Sequence, residues 1–428
     1  MKKIMIVLVA VLFVKGMAAQ NIDVIINTTE VERIGKILSA DDMEGRRTFT
    51  KGIDKAASFI ADEFKKYGLQ TVNQDGNYLQ QFSMIKAKFL SASALLDGSA
   101  LETRNIIALT CKPELIINEK SGYELVRITK GSNFFGEARK YSGLTKNTIV
   151  LVDTSFAANF GRLVQLKSQL FQSNQSVVFL LTNSLPVKYT IEAKHEIVEQ
   201  KLANVVGVLP GKSLQNEIVI FSGHYDHLGI TKKIVNNDSI YNGANDDAAG
   251  TTAMMLLAKY YSAMRNNERT IIFAAFTAEE IGGFGATYFS RQYDPANVKA
   301  MFNIEMIGTE SKWGNNSAYI TGYEKTDMGK ILQANLVGSG FNFYPDPYPD
   351  QQLFYRSDNA TLARLGVPAH TISTSKMDSE PNYHQLTDEI GTLNMANMTQ
   401  IIKAIAISAR GIISGKETPT RVDTSSLR

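Results

Sequence analysis

Ile218-Val219-Ile220-Phe221-Ser222-Gly223-His224-Tyr225-Asp226-His227 is an apolar run that ends in ionisable side chains. The first four residues suit a strand buried on both faces, because branched and aromatic side chains pack well on a pleated surface. The last four fall at the end of that strand, where open α/β sheets gather their ligands. In extended chain His224 and Asp226 point the same way, since side chains alternate with a period of two. A metal-binding histidine usually gives its second ring N–H to an acceptor, and Asp226 is placed for that role. Taken alone, the segment reads better as a loop histidine beside an acid.

Further along, the pattern repeats. Apolar runs at 205–209, 271–276 and 301–306 suit buried strands. An apolar helix fits at 248–264, and others at 284–292, 325–337, 358–365 and 393–413. Strands alternating with helices argue for a layered α/β domain with a largely buried sheet. Upstream, Ile53, Ala56, Ala57, Ile60, Phe64 and Tyr67 fall on one face at helical spacing, so 52–68 reads as an amphipathic helix capped by Gly68. Between 86 and 200 the character changes to short β-rich runs, such as 148–152 and 177–181, with polar stretches between them. His195 stands there beside Glu192, Lys194 and Glu196, so a solvated surface is expected for it. This region reads as a separate, non-catalytic insert.

Carboxylates recur at the other element ends. Asn245-Asp246-Asp247-Ala248 opens the apolar helix. N-capping explains one acid there but not two side by side. The run at 271–276 continues into Thr277-Ala278-Glu279-Glu280, and two acids leaving a buried strand repel unless a cation is near. A divalent ion removes that difficulty and lets one acid ligate while the other handles protons. Glu305 ends another strand, and His384 follows Pro381 in a polar loop. Nitrogen and oxygen ligands without thiolate suit zinc, with cobalt or manganese as substitutes. The acids outnumber what one zinc needs.

Composition sets the outer limits. Hydrophobic residues make up 44% of the 428, an ordinary globular content with room for a large domain and a smaller one. Lys2 and Lys3 precede an apolar run from Ile4 to Val14, and small residues follow at Gly16, Ala18 and Ala19. That is the layout of a signal peptide over 1–19, and the run falls short of the ~20 residues that span a bilayer. Lys2, Lys3 and Lys15 leave with it, and the formal charge of +3 falls to zero. A neutral balance gives no field to attract nucleic acid or anionic lipid, so neither partner is expected, nor is stable membrane insertion. The single cysteine, Cys111, excludes an internal disulfide. A periplasmic or secreted location is expected.

The order His-x-Asp, Asn-Asp-Asp-Ala-x-Gly, Glu-Glu-x-Gly, Glu-Met-Ile-Gly and Tyr-His resembles metallopeptidase family 28 over about 200–415 and the helix near 52–68. The resemblance implies a three-layer α/β/α zinc-exopeptidase-like domain with a central mixed sheet, plus a smaller β-rich inserted domain. The expected division is 20–85 and 201–415 for the catalytic domain, 86–200 for an insert resembling a protease-associated domain, and 416–428 for a tail. It implies two zinc ions. His224 and Glu305 would hold one, Glu280 and His384 the other, and Asp246 would bridge them. Glu279 would be the general base, and Asp226 the partner of His224. Asp247 would follow the bridging acid across a cis peptide bond. Tyr355 and Asp358 would contact substrate, namely the N-termini of peptides or proteins. Two positions depart from the family pattern. Glu305 stands where many relatives have aspartate, and Asn359 follows Arg356-Ser357-Asp358 where histidine is expected. The activity implied is that of an aminopeptidase. The alternatives are a carboxypeptidase on the same fold, a one-zinc glutaminyl cyclase on a related fold, or a non-catalytic ectodomain.

Overall fold

The computed structural model describes residues 22–427, so the expected signal peptide lies outside the described residues. Gln81–Leu202 forms one compact unit, and the described residues on either side of it form another. Among the described residues no helix is long and apolar enough to cross a membrane.

The larger unit is built on a mixed sheet. Leu214–His224 lies at its centre, parallel to Arg269–Phe276 on one side and to Val298–Ile304 on the other. Beyond Val298–Ile304 comes parallel Ala369–Ser373, then antiparallel Ser317–Ile320 with Asn342–Pro345 at the edge. On the other side 205–209 runs antiparallel to Arg269–Phe276. Both faces of this sheet are covered, which is why its strands are apolar throughout. Val219, Phe221, Ile271, Phe273 and Phe302 enter one core, with Ile34, Ile60, Phe64, Leu256 and Ile405 from the helices Thr28–Leu38, Lys51–Tyr67, Gly250–Met264 and Met395–Ser408. Ile220, Ile272, Ala274 and Met301 enter the opposite core, with Phe289 and Leu362 from Phe284–Ser290 and Asn359–Ala363. Helix, sheet and helix therefore form three layers. Gly68 ends Lys51–Tyr67 in the left-handed conformation, as its position implied.

The last residues are tied to this unit. Arg269 donates to the Glu417 carbonyl at 2.7 Å and to Thr418 Oγ1 at 2.6 Å, and the Val422 N–H donates to the Gly366 carbonyl.

In the smaller unit Ile106–Leu109, Val177–Leu181, Thr148–Val152 and Glu124–Ile128 form a four-stranded sheet in that order. His195 departs from expectation. It lies on the long strand Tyr189–Leu209 and is only 3% exposed. Tyr189, Ile191, Ala193 and His195 are buried in alternation with exposed Thr190, Glu192, Lys194 and Glu196. The charged neighbours thus belong to the opposite face of the strand.

Candidate metal centre

The three central parallel strands end together. His224 is the last residue of Leu214–His224 and pairs with Phe276, and Ile304 closes the neighbouring strand just before Glu305. Between strand and helix, Ala244–Ala249 forms one wide turn, with the Asp246–Asp247 peptide bond cis. The Asp247 carboxylate accepts from the backbone N–H of Gly250 at 2.9 Å, Met306 at 3.0 Å and His224 at 3.2 Å. It therefore knits two strand ends to the start of the helix. Gly250 is required at this junction, because a Cβ there would run into the Ile304 carbonyl and the Asp247 carboxylate.

Asp246 is left free to face the strand ends. One ligand atom from each of His224, Asp246 and Glu305 lies within 4.8 Å of the others, and the same holds for His227, Asp246 and Glu280. His224 Nε2 is 3.2 Å from Asp246 Oδ1. His384 Nε2 is 3.2 Å from Asp246 Oδ2 and 3.1 Å from Glu280 Oε2. Thus the five residues expected as ligands meet in one place, with Asp246 central to both groups. His227 joins them unforeseen. Its Nδ1 lies 2.7 Å from Glu280 Oε1 and its side chain is fully buried. The signal for it was the spacing His-Tyr-Asp-His, which returns a second ring to the same loop.

Asp226 acts otherwise than expected. His224 Nδ1 is 3.1 Å from the Asp226 backbone carbonyl and 3.8 Å from its carboxylate. The carboxylate instead accepts from the backbone N–H of Glu279 at 3.0 Å and of Glu280 at 3.3 Å. Either acceptor fixes a histidine tautomer, but the carboxylate here orients the acidic turn.

The charges explain why a cation belongs here. Burial pushes Asp226 and Glu305 up to about 6 and Asp358 up to about 8, and it lifts Glu279 well above the usual carboxylate range. Burial works against the charge of Asp246 too, yet His224 and His384 hold it low. Bonds to Asp246 and Glu280 raise His384 to about 10. Glu305 Oε2 is buried and makes no hydrogen bond, and buried His224 Nε2 has only the Asp246 carboxylate beside it. Buried nitrogen and oxygen atoms gathered around one carboxylate fit divalent ions of the zinc class.

A cavity of about 240 Å³ opens onto this cluster, lined by Asp246, Glu279, Glu280, Glu305 and His384 and walled by Tyr319, Thr321, Leu353, Arg356, Met377 and Tyr383. The two residues expected to touch substrate are not among its walls. The turn Leu353–Tyr355 sends Leu353 into the cavity, while Tyr355 lines a separate one beside Glu324 and Lys325. Asp358 is 1% exposed, with neither carboxylate oxygen hydrogen-bonded.

The sequence pattern described as Peptidase family M28 matches residues 204–408, which include every residue of the cluster. A probable zinc metalloprotease of Pyricularia oryzae is 34% identical over 113 residues, 26% of this chain and 22% of that one. Another, from Pyrenophora teres f. teres, is 33% identical over 112 residues, 26% of this chain and 23% of that one. The similarity therefore spans under a quarter of those relatives. Among solved structures, an aminopeptidase from Aneurinibacillus sp. strain AM-1 aligns with TM-score 0.53 and 17% identity over 95% of this chain and 99% of that one. A zinc aminopeptidase from Bacillus subtilis aligns with TM-score 0.54 and 15% identity over 92% and 97%. At such identities the likeness is one of fold. Residues 204–408 thus carry the sequence pattern of peptidase family M28.

Proposed function

We propose that this chain is an exported di-zinc aminopeptidase that releases residues from the N-terminal end of peptides. The observation that carries the reading is the convergence of two histidine–carboxylate groups on the shared Asp246, at the floor of a cavity that Glu279 also lines. His224 and Glu305 would hold one ion, His384 and Glu280 the other, and Asp246 both. His227, through Nδ1, would keep Glu280 Oε1 engaged so that Oε2 faces the site. When bound, the ions would supply Lewis acidity toward a water and toward the scissile carbonyl.

The remaining work falls to the chain's own side chains. Glu279 accepts the proton of the attacking water and returns it to the departing amine. Asp226, by holding the main chain at Glu279 and Glu280, keeps base and ligand in fixed relation. The cavity of about 240 Å³ that ends at Asp246, Glu279 and Glu280 has room for a terminal side chain, in keeping with exopeptidase action. Export rests on the layout of residues 1–19.

The test is hydrolysis of amino-acid 4-nitroanilides, and of matched peptides with free or acetylated N-termini, by zinc-loaded protein. Stepwise release from free N-termini only is the expected result. Trimming from the C-terminal end of acetylated peptides, or cyclisation of N-terminal glutamine without hydrolysis, would contradict it.

A further inference from the structure

Arg46 lies outside the stretch matched to the peptidase family, on the segment Asp41–Arg46. It is fully buried, yet among the described residues no carboxylate accepts from it. Its guanidinium donates only to backbone carbonyls: Tyr225 at 2.8 Å, Leu38 and Asn242 at 2.6 Å each, and Gly243 at 2.9 Å. Its own carbonyl accepts from the His227 N–H at 3.2 Å. Arg46 therefore grips the loop after His224 and the start of the loop that carries Asp246. The same 242–246 loop is gripped from its far end by Asp388. That carboxylate is 1% exposed, and its two oxygens accept from the backbone N–H of Asn245 at 2.8 Å and of Asp246 at 3.0 Å. The Asp388 carbonyl takes the Ala244 N–H at 3.1 Å. Asp388 ends the short segment that begins at His384, whose ring touches Asp246 from the cavity side.

We propose that Arg46 and Asp388 are positioning residues that clamp the 242–246 main chain from both ends and so preset Asp246 against His224 and His384 before metal enters. The proposal rests on the di-zinc reading above. A planar guanidinium has five donors in a fixed fork and serves several carbonyls at once, whereas an ammonium is a compact point donor. A carboxylate has two acceptors for two N–H groups, whereas an amide has one oxygen. Each partner is therefore matched to the main-chain groups it holds. Partners that orient metal ligands from behind typically account for a 10–100-fold effect on affinity.

The experiment measures zinc affinity by competition with a chromophoric chelator, alongside the melting temperature of the metal-free protein. Asp388→Asn and Arg46→Lys are expected to weaken zinc binding by roughly 10–100-fold, with partial recovery in Asp388→Glu. Arg269→Lys is the control. Arg269 is also buried and also bonds backbone carbonyls, those of Ile412 and Glu417, but away from the cluster. It should lower metal-free stability and leave zinc affinity unchanged. Should Arg46→Lys fail to fold, Asp388→Asn decides. Parental affinity in Asp388→Asn, or a loss no greater than that of Arg269→Lys at equal destabilisation, would overturn the clamp alone. Wild-type protein that binds no zinc would overturn the di-zinc reading and the clamp with it.

Discussion

Burial lifts the Glu279 carboxyl well above its usual range, while Glu280, which burial and Asp246 also work against, is held low by His227 and His384. Two identical side chains, adjacent in sequence, thus have opposite protonation tendencies, and the split matches a base beside a ligand. Glu279→Gln is expected to keep zinc and lose kcat by ~10²–10⁴, because an amide cannot take the proton. Glu280→Gln should lose zinc together with activity. Metal content and turnover measured on both variants check the assignment, and near-parental turnover in Glu279→Gln would refute it. His224, Glu280 and Glu305 are legible in the sequence as ionisable groups where apolar runs stop, and Asp246 as a doubled acid where an apolar helix opens, whereas His384 in its polar loop is picked out by the resemblance. Arg46 and Asp388 are not legible, since their partners are backbone amides and carbonyls that every residue carries. Tyr355 lines a neighbouring cavity and Leu353 reaches both, because successive side chains of a tight turn leave in different directions.

Helices Thr28–Leu38 and Lys51–Tyr67 both pack against Gly250–Met264 in the same core, and a charged knot joins them. Glu63, with its side chain 3% exposed, accepts from Arg33, Lys66 and Tyr67 at 2.7 Å each. Burial alone would raise its carboxyl, but these three partners pull it down to about 2. The folded value is depressed, so the stabilisation is complete above the ordinary carboxylate range, near 4.5. It is lost as pH falls from there toward 2. Glu63→Gln should cost roughly 2 kcal/mol at pH 7, with Arg33 partly exposed to screening solvent, and almost nothing near pH 2. Urea unfolding at both pH values measures this, and an equal effect at the two would contradict it. The spacing of Ile53, Ile60 and Phe64 made the second helix legible, whereas the knot depends on which residue of the first helix faces Glu63. The strand bearing His195 carried a legible period of two that its charged neighbours obscured, because Glu192, Lys194 and Glu196 mark the outer face and leave His195 on the inner one.

At the scale of the molecule, the segments that meet at the cluster are far apart in the chain. His224 ends one strand and His227 follows it, Asp246 opens a helix, Glu280 and Glu305 follow two further strands, and His384 sits in a late loop. Parallel pairing of three strands brings their ends to one edge, so the topology assembles the site that the sequence scatters. The alternation of apolar runs and helices was enough to indicate this arrangement, since only a sheet covered on both faces buries such strands. We propose that Asp246 is shared by two ions. Zinc per chain, determined by elemental analysis after loading and removal of excess metal, tests it most directly in the wild type and in Glu305→Ala. Two ions in the wild type and one in Glu305→Ala is the predicted result, because His384, Glu280 and Asp246 would still hold theirs. A single ion in the wild type, unchanged in Glu305→Ala, would contradict it.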